Sequence, residues 1–568
     1  LTNSTASYNT AFGYGAGINA TTATQNALVG SNAGDAITTG SYNVGMGHAA
    51  LGQVTTGNHN TGLGRNAVAA VTTGGQNTGV GSAAADAITT GNYNTALGYN
   101  ALTSDTLGSR AVAIGREALV NQNFTSATNS YNTAVGFNAG NQITTSVQNT
   151  LIGGIAGDAI TTGSYNTAVG HESFGALTTG VQNVAVGRAS GFSISTGSYN
   201  TMIGDAAGLY LTTGGSNVAL GQNALRGDSG GAIGQFNTAL GRQTLQSLSS
   251  GNSNVAIGHQ AGINITTGYE NVLIGYQAGD AFTVGLFNVA LGHRALQNDT
   301  TGRSSIAIGH QALYSQNFTG NNESHNIVVG RNAGYAISTG IQNTLIGNYS
   351  GDAMTTGGYN VGIGHQTLGS VTTGENNTAL GRNAVAAVTT ASGNVGVGTN
   401  AADALTTGAD NTAVGLKALT NDTAGGRSVA IGAYTLEYQN GTNGNVYNIA
   451  VGFNAGNMVS TGVNNTFLGG LAGDATTTSN NNTAVGFYSF STNTTGAQNT
   501  ALGGYALYGN TTASNNTAMG YGALLDNTTG QTNTAMGAYA LTNQTTASNN
   551  VAMGYSAGHD VSVGTQNV

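Results

Sequence analysis

The sequence predicts an all-β fold, a parallel β-solenoid of about 32 seventeen-residue coils, on three observations. A glycine closing a short apolar run stands at Gly13, Gly30, Gly47, Gly64, Gly81, Gly98 and Gly115, and the beat continues to Gly554; of thirty-one intervals, twenty-seven are seventeen residues and four are twenty or twenty-one. Seventeen residues are too few for a helical pair and fit one coil of a solenoid. Four residues before this marker glycine comes Asn in twenty-nine of thirty-two coils, the exceptions being Ala111, Ser305 and Ser428. Proline is absent from all 568 residues, as suits a chain in which almost every amide donates to a neighbour. A single continuous array over 1–568 is expected.

Asn132-Thr133-Ala134-Val135-Gly136-Phe137-Asn138-Ala139-Gly140 shows one coil's first half. The corner asparagines, among them Asn132, Asn149 and Asn166, are expected to ladder by side-chain hydrogen bonds between coils. Of the three residues that follow, the outer two, as in Thr167 and Val169, are expected to point into the coil, since alternate residues share a face. The residue between them, usually Ala, is never charged. A strand apolar on both faces is buried on both, which argues for several chains packed about an axis. Gly136, Gly153 and Gly170 mark the close backbone approach. Three residues later comes Ala in twenty-five coils, as at Ala139, with Ser or Thr elsewhere, where a second wall is expected to pass close. The later Ile160-Thr161-Thr162-Gly163 reads as a second short strand and a turn. At about 4.8 Å per coil the stack is expected to extend about 150 Å.

Composition narrows the function. Only 6% of residues are charged and the net charge is −9, so no basic stripe exists to track phosphates and nucleic acid is not an expected partner. Cysteine is absent, which excludes disulfides and thiolate metal sites. No apolar run is long enough to span a membrane as a helix. Leu1-Thr2-Asn3 carries no initiator Met or signal sequence, and Asn567 stands in register with a following coil. The chain is therefore expected to be the ordered part of a longer or processed protein.

Val112-Ala113-Ile114-Gly115-Arg116-Glu117-Ala118 and Val429-Ala430-Ile431-Gly432 resemble the head repeat of YadA-type trimeric autotransporter adhesins and are similar to repeats of some phage tail fibres. That resemblance implies a left-handed β-roll, three chains about one axis, an extracellular location on a cell or virion surface and an adhesive role. The coil here is longer than the family's repeat, and the family's anchor and neck are missing.

The rhythm breaks at 116–136, 222–241, 310–330 and 433–452. Extra residues there are expected to bulge from the stack, and loops on a rigid scaffold are where binding tends to reside. Three breaks are introduced by related text beginning at Asp105, Asp299 and Asp422. The other holds Arg226-Gly227-Asp228, the form of the integrin-binding tripeptide and a candidate adhesion loop. Asn123, Asn317, Asn264 and Asn493 head Asn-x-Thr sequons and are candidate glycosylation sites. Asp recurs five residues after the marker, as at Asp86 and Asp352, and His or Arg one residue after it, as at His293, His310 and Arg116. These read as turn and surface residues, so no metal or cofactor is expected. No nucleophile-base set, phosphate loop or ligand cluster stands out. The expectation is a non-catalytic structural and adhesive fibre that self-associates, with a surface glycan or protein as receptor. A phage tail fibre recognising a host, or an ice-binding solenoid using Thr72-Thr73, Thr89-Thr90 and Thr161-Thr162, is the alternative.

Overall fold

The computed structural model describes residues 5–320, 322–441 and 444–568. It divides into two compact units, Leu1–Leu286 and Phe287–Val568, each a parallel β-solenoid. About 32 turns of the chain each contribute one three-residue strand, and no residue described is helical. Register advances by one coil per strand, with Thr133, Ala134 and Val135 opposite Thr150, Leu151 and Ile152, and these opposite Thr167, Ala168 and Val169.

The marker glycines are fixed by backbone proximity. Gly136, Gly153 and Gly170 have φ of 139–144° or 133°, and a Cβ on them would lie 2.3–2.5 Å from the carbonyl oxygen of the corresponding glycine one coil on. Only the absence of a side chain permits that approach. The corner asparagines Asn132, Asn149 and Asn166 are fully buried. The Asn149 N–H donates to Asn132 Oδ1 at 2.9 Å and the Asn166 N–H to Asn149 Oδ1 at 2.9 Å. Their Nδ2 groups close each coil, Asn149 on the Gly163 carbonyl at 3.0 Å and Asn166 on that of Gly180 at 2.9 Å.

The strand faces are the reverse of the sequence expectation. The central residue is the buried one: Ala134, Leu151 and Ala168 have no exposed surface, while Thr133, Val135, Thr167 and Val169 are only half-buried. The reason is the narrow coil. The turn carrying the small residue after the marker passes directly beneath the strand, so that a Cβ on Gly62 or Gly79 would meet the Ala67 or Ala84 carbonyl oxygen at 2.8 Å. A large residue fits at the strand centre only by reaching sideways. In all seven coils where it occurs (Leu28, Leu151, Met202, Leu273, Val328, Leu345, Phe467), the residue six positions on is Gly. Where the centre is Ala or Gly, that later position often holds Leu, Val or Phe instead, as at Leu51, Leu119 and Phe174. Core volume is thus exchanged between two columns, as close packing requires.

The Ile-Thr-Thr-Gly segment is not the second strand expected from its composition. Thr38, Thr39 and Gly40 aim their N–H groups at the single Thr55 carbonyl oxygen, at 3.0, 3.2 and 3.2 Å, a convergent bend that cannot form a ladder. Turns rely on left-handed backbone at ordinary residues, such as Asn100, Leu102 and Arg110 with φ of 54, 54 and 62°. Each such residue costs about 1–2 kcal/mol. The rotation aims the peptide along the stack, where the Asn100 and Arg110 N–H groups reach the Ser82 and Asn92 carbonyls at 3.1 and 2.9 Å and the Leu102 N–H reaches Ala118 at 2.9 Å.

Candidate functional site

The outer strand face is the most continuous feature. Its two columns, the residues one and three before each marker glycine, carry no charged residue in any coil. Large side chains there are substantially exposed: Met46 53%, Leu97 44%, Ile152 40%, Leu220 44% in the first unit, and Leu380 46% and Ile346 39% in the second. The reversal of faces therefore moves the uncharged surface outward without removing it. Monomeric proteins rarely expose a contiguous apolar patch above about 300–600 Å².

The bulges leave the main ladder in register, with Thr133 opposite Val112 across 116–136, Thr238 opposite Val218 across 222–241, Ile327 opposite Ile306 across 310–330 and Ile449 opposite Val429 across 433–452. Part of the extra chain pairs with the coil before it: Gly108–Ser109 with Thr128–Asn129 and Gly425–Gly426 with Gly444–Asn445. Asn321, Thr442 and Asn443, within two of the bulges, lie outside the described residues.

Three bulges share a device that sequence reasoning missed. Asp105, Asp299 and Asp422 are fully buried and accept from Gln122, Gln316 and Gln439 Nε2 at 2.6, 2.6 and 2.5 Å. Each also accepts a backbone N–H, from Gly108, Gly302 or Gly425. The Gln Oε1 then accepts from Asn132, Asn326 or Asn448 Nδ2 at 2.8–2.9 Å. These are the coils in which Ala111, Ser305 and Ser428 interrupt the asparagine column, and the Asp–Gln pair bridges the gap. Burial raises the Asp105 and Asp299 carboxyls above their ordinary range, against the lowering effect of these hydrogen bonds. The signal was present: each Asp stands seven residues after its marker, where most coils place an apolar residue, with Gln seventeen residues on.

The tripeptide does not extend freely. Arg226 lies over the Tyr210 ring at 5.0 Å and its carbonyl accepts from the Tyr210 N–H at 2.7 Å. Gly227 is buried with φ of 83°, while Asp228 is exposed. With Gln246, Ser247 and Thr266 they line a cleft of about 410 Å³.

Among the sequons, Asn123 is exposed and its Oδ1 accepts from Thr106 Oγ1 at 2.9 Å, as Asn317 Oδ1 does from Thr300 at 3.0 Å. Asn264 is exposed, although its Nδ2 donates to the Asp280 carbonyl at 2.8 Å. Asn493 is a correction. It is fully buried, and the nitrogen that a glycan would occupy donates to Ser479 Oγ and to the Gly496 carbonyl, both at 3.2 Å.

Of the aspartates five after the marker, Asp86, Asp403 and Asp474 accept a hydroxyl from the next coil, of Thr103, Thr420 and Ser491. Burial raises the carboxyls of Asp86, Asp158, Asp352 and Asp474. The His293 and His310 rings stack at 4.9 Å. Among the described residues, no group of three or more His, Asp or Glu is placed to hold a metal ion. In the pairs Thr72-Thr73, Thr89-Thr90 and Thr161-Thr162 only the second residue is exposed; the first donates along the stack, as Thr72 does to the Thr89 carbonyl and Thr161 to that of Thr178, both at 3.3 Å. No helix is long and apolar enough to cross a membrane among the described residues.

No model of a known protein family matches the chain, and comparison with curated proteins finds no match.

Proposed function

We propose that this chain is the shaft of an extracellular structural and adhesive fibre, without catalytic activity, that projects from a cell or virion surface and self-associates as a homotrimer. One observation carries the reading: the outward strand face is uncharged in every coil, and it exposes Leu, Ile, Val or Met in many of them while leaving the others half-buried. Burying a fully exposed side chain of this kind contributes roughly 1.5–3 kcal/mol, so covering what remains exposed on each contributes about half of that or less, and a column of them rewards association with a surface of the same period. A second copy has that period by construction. The YadA-type resemblance supplies the number three, the left-handed roll and the adhesive role. Adhesion along such a shaft works by multivalency, many weak contacts to a glycan or protein receptor adding to one avid attachment.

Native mass spectrometry tests the reading. Three chains of 56.2 kDa are expected in one complex, and a stable monomer at micromolar concentration overturns it.

A further inference from the structure

The last five coils differ from the rest at one corner. Elsewhere the residues just after the marker mix rings with cations: Arg116 sits over Tyr99 and Phe137 at 6.0 and 5.6 Å, Arg331 over Tyr349 at 5.6 Å, and Lys417 over Tyr434 at 5.9 Å. No Lys or Arg follows Arg427. From Phe487 to Tyr555 the corner becomes a run of rings alone. Tyr488 and Tyr505 stack with centroids 5.6 Å apart, and Tyr505–Tyr521, Tyr521–Tyr539 and Tyr539–Tyr555 follow at 5.7, 5.5 and 6.3 Å, each ring turned 64–89° from the last.

Glycines on the preceding coil seat these rings. A Cβ on Gly470, Gly504 or Gly522 would lie 3.5, 3.3 or 3.2 Å from the ring of Phe487, Tyr521 or Tyr539, so each ring rests on bare backbone. The rings are held in place and still accessible: Phe487 is 52% exposed, Tyr521 50% and Tyr555 78%. In the same coils, the apolar column seven after the marker becomes a second buried amide ladder, with Asn510 Nδ2 on Asn493 Oδ1 at 2.9 Å and Asn527 Nδ2 on Asn510 Oδ1 at 3.1 Å.

We infer that this strip binds a neutral polysaccharide laid along the stack axis, its sugar C–H groups meeting the exposed faces and edges of successive aromatic rings. Tyrosine presents an apolar ring face with a polar tip, the combination that a pyranose with C–H faces and equatorial hydroxyls matches. One ring per coil gives a step comparable to one sugar of an extended chain. The absence of Lys and Arg, with the one histidine of these coils, His559, paired to Asp560, leaves an acidic polysaccharide without a charge partner, which selects for neutral chains. The inference names the receptor class for the adhesive reading above and rests on it.

Affinity electrophoresis of the full chain in native gels containing galactomannan, laminarin or dextran, with polygalacturonate as the acidic control, tests it. Retardation by at least one neutral polysaccharide is expected. It should weaken tenfold or more in Tyr521→Ser/Tyr539→Ser and persist in Tyr521→Phe/Tyr539→Phe, with both variants melting at similar temperatures. Retardation by polygalacturonate alone, by none of the polymers, or equally in the Ser and Phe variants overturns the inference. Native mass separates the two readings: a trimer whose retardation ignores the rings loses only the polysaccharide site, whereas a retarded monomer loses only the fibre.

Discussion

Asn149 contributes through both ends of its amide, Oδ1 receiving the next coil's N–H and Nδ2 closing its own coil on Gly163. Asn149→Ala strands a buried donor and a buried acceptor at about 1–3 kcal/mol each. Calorimetry should show a loss of about 2–4 kcal/mol, far more than for Thr162→Ala on the exposed rank. This column was legible from residues alone because only a small amide suits the corner in nearly every coil. The Asp105–Gln122 bridge was not, since an aspartate in a polar turn sequence reads as surface; only its register, seven after the marker instead of five, distinguishes it. Burial raises the Asp105 and Asp299 carboxyls, and also Asp86, Asp158, Asp352 and Asp474, above 3.8. Between 3.8 and the folded value the native state keeps protons that the unfolded chain has released. Their contribution is therefore greatest below 3.8 and declines as pH rises through the folded pKa. Melting temperature should rise as pH is lowered from neutrality towards 3.8, and a steady fall over that range contradicts the assignment.

The coil is the unit in which the chain tolerates change. Removing residues 150–166 deletes seventeen residues and rejoins equivalent positions, so Thr133 would face Thr167 as it now faces Thr150. Stability in a stack is a sum over neighbouring interfaces, and circular dichroism and melting temperature should change little. Removing residues 150–158 instead breaks register and should abolish cooperative melting. Within the bulge at 116–136, deleting residues 125–128 restores a seventeen-residue interval while leaving buried Phe124 in place; the melting temperature is expected to stay within about 2–4 °C. The period of the element was legible in the sequence, but its sidedness was not. Alternation assigns residues to two faces without saying which is inside, and here both faces are uncharged. The choice was made by the turn at Ala67 and Ala84 passing beneath the strand, a long-range fact that no local pattern records. The supposed second strand failed for a related reason: β-branched Thr favours strands on average, yet three successive N–H groups at Thr38–Gly40 converge on one acceptor.

In the whole molecule, what holds one chain together differs from what is proposed to bring chains together. The interior uses glycine contact, amide ladders and exchanged core volume; the exterior strand face carries the apolar surface proposed to assemble the fibre. Ile152→Glu, on a side chain 40% exposed in one chain, should leave the fold of the chain intact by circular dichroism and shift the native mass from trimer to monomer. An unchanged trimer would place the interface elsewhere. The central claim, that each coil lies one strand spacing above the last, is open to a direct ruler because the chain has no cysteine of its own. Spin labels on introduced cysteines at Thr145/Thr213 and at Thr145/Thr267, exposed positions four and seven coils apart in the first unit, can be read by pulsed electron resonance after dilution with unlabelled chain. The account predicts narrow distributions near about 19 and 34 Å, a step of about 4.8 Å per coil; distances that do not grow in that proportion, or a broad spread at both pairs, would contradict it.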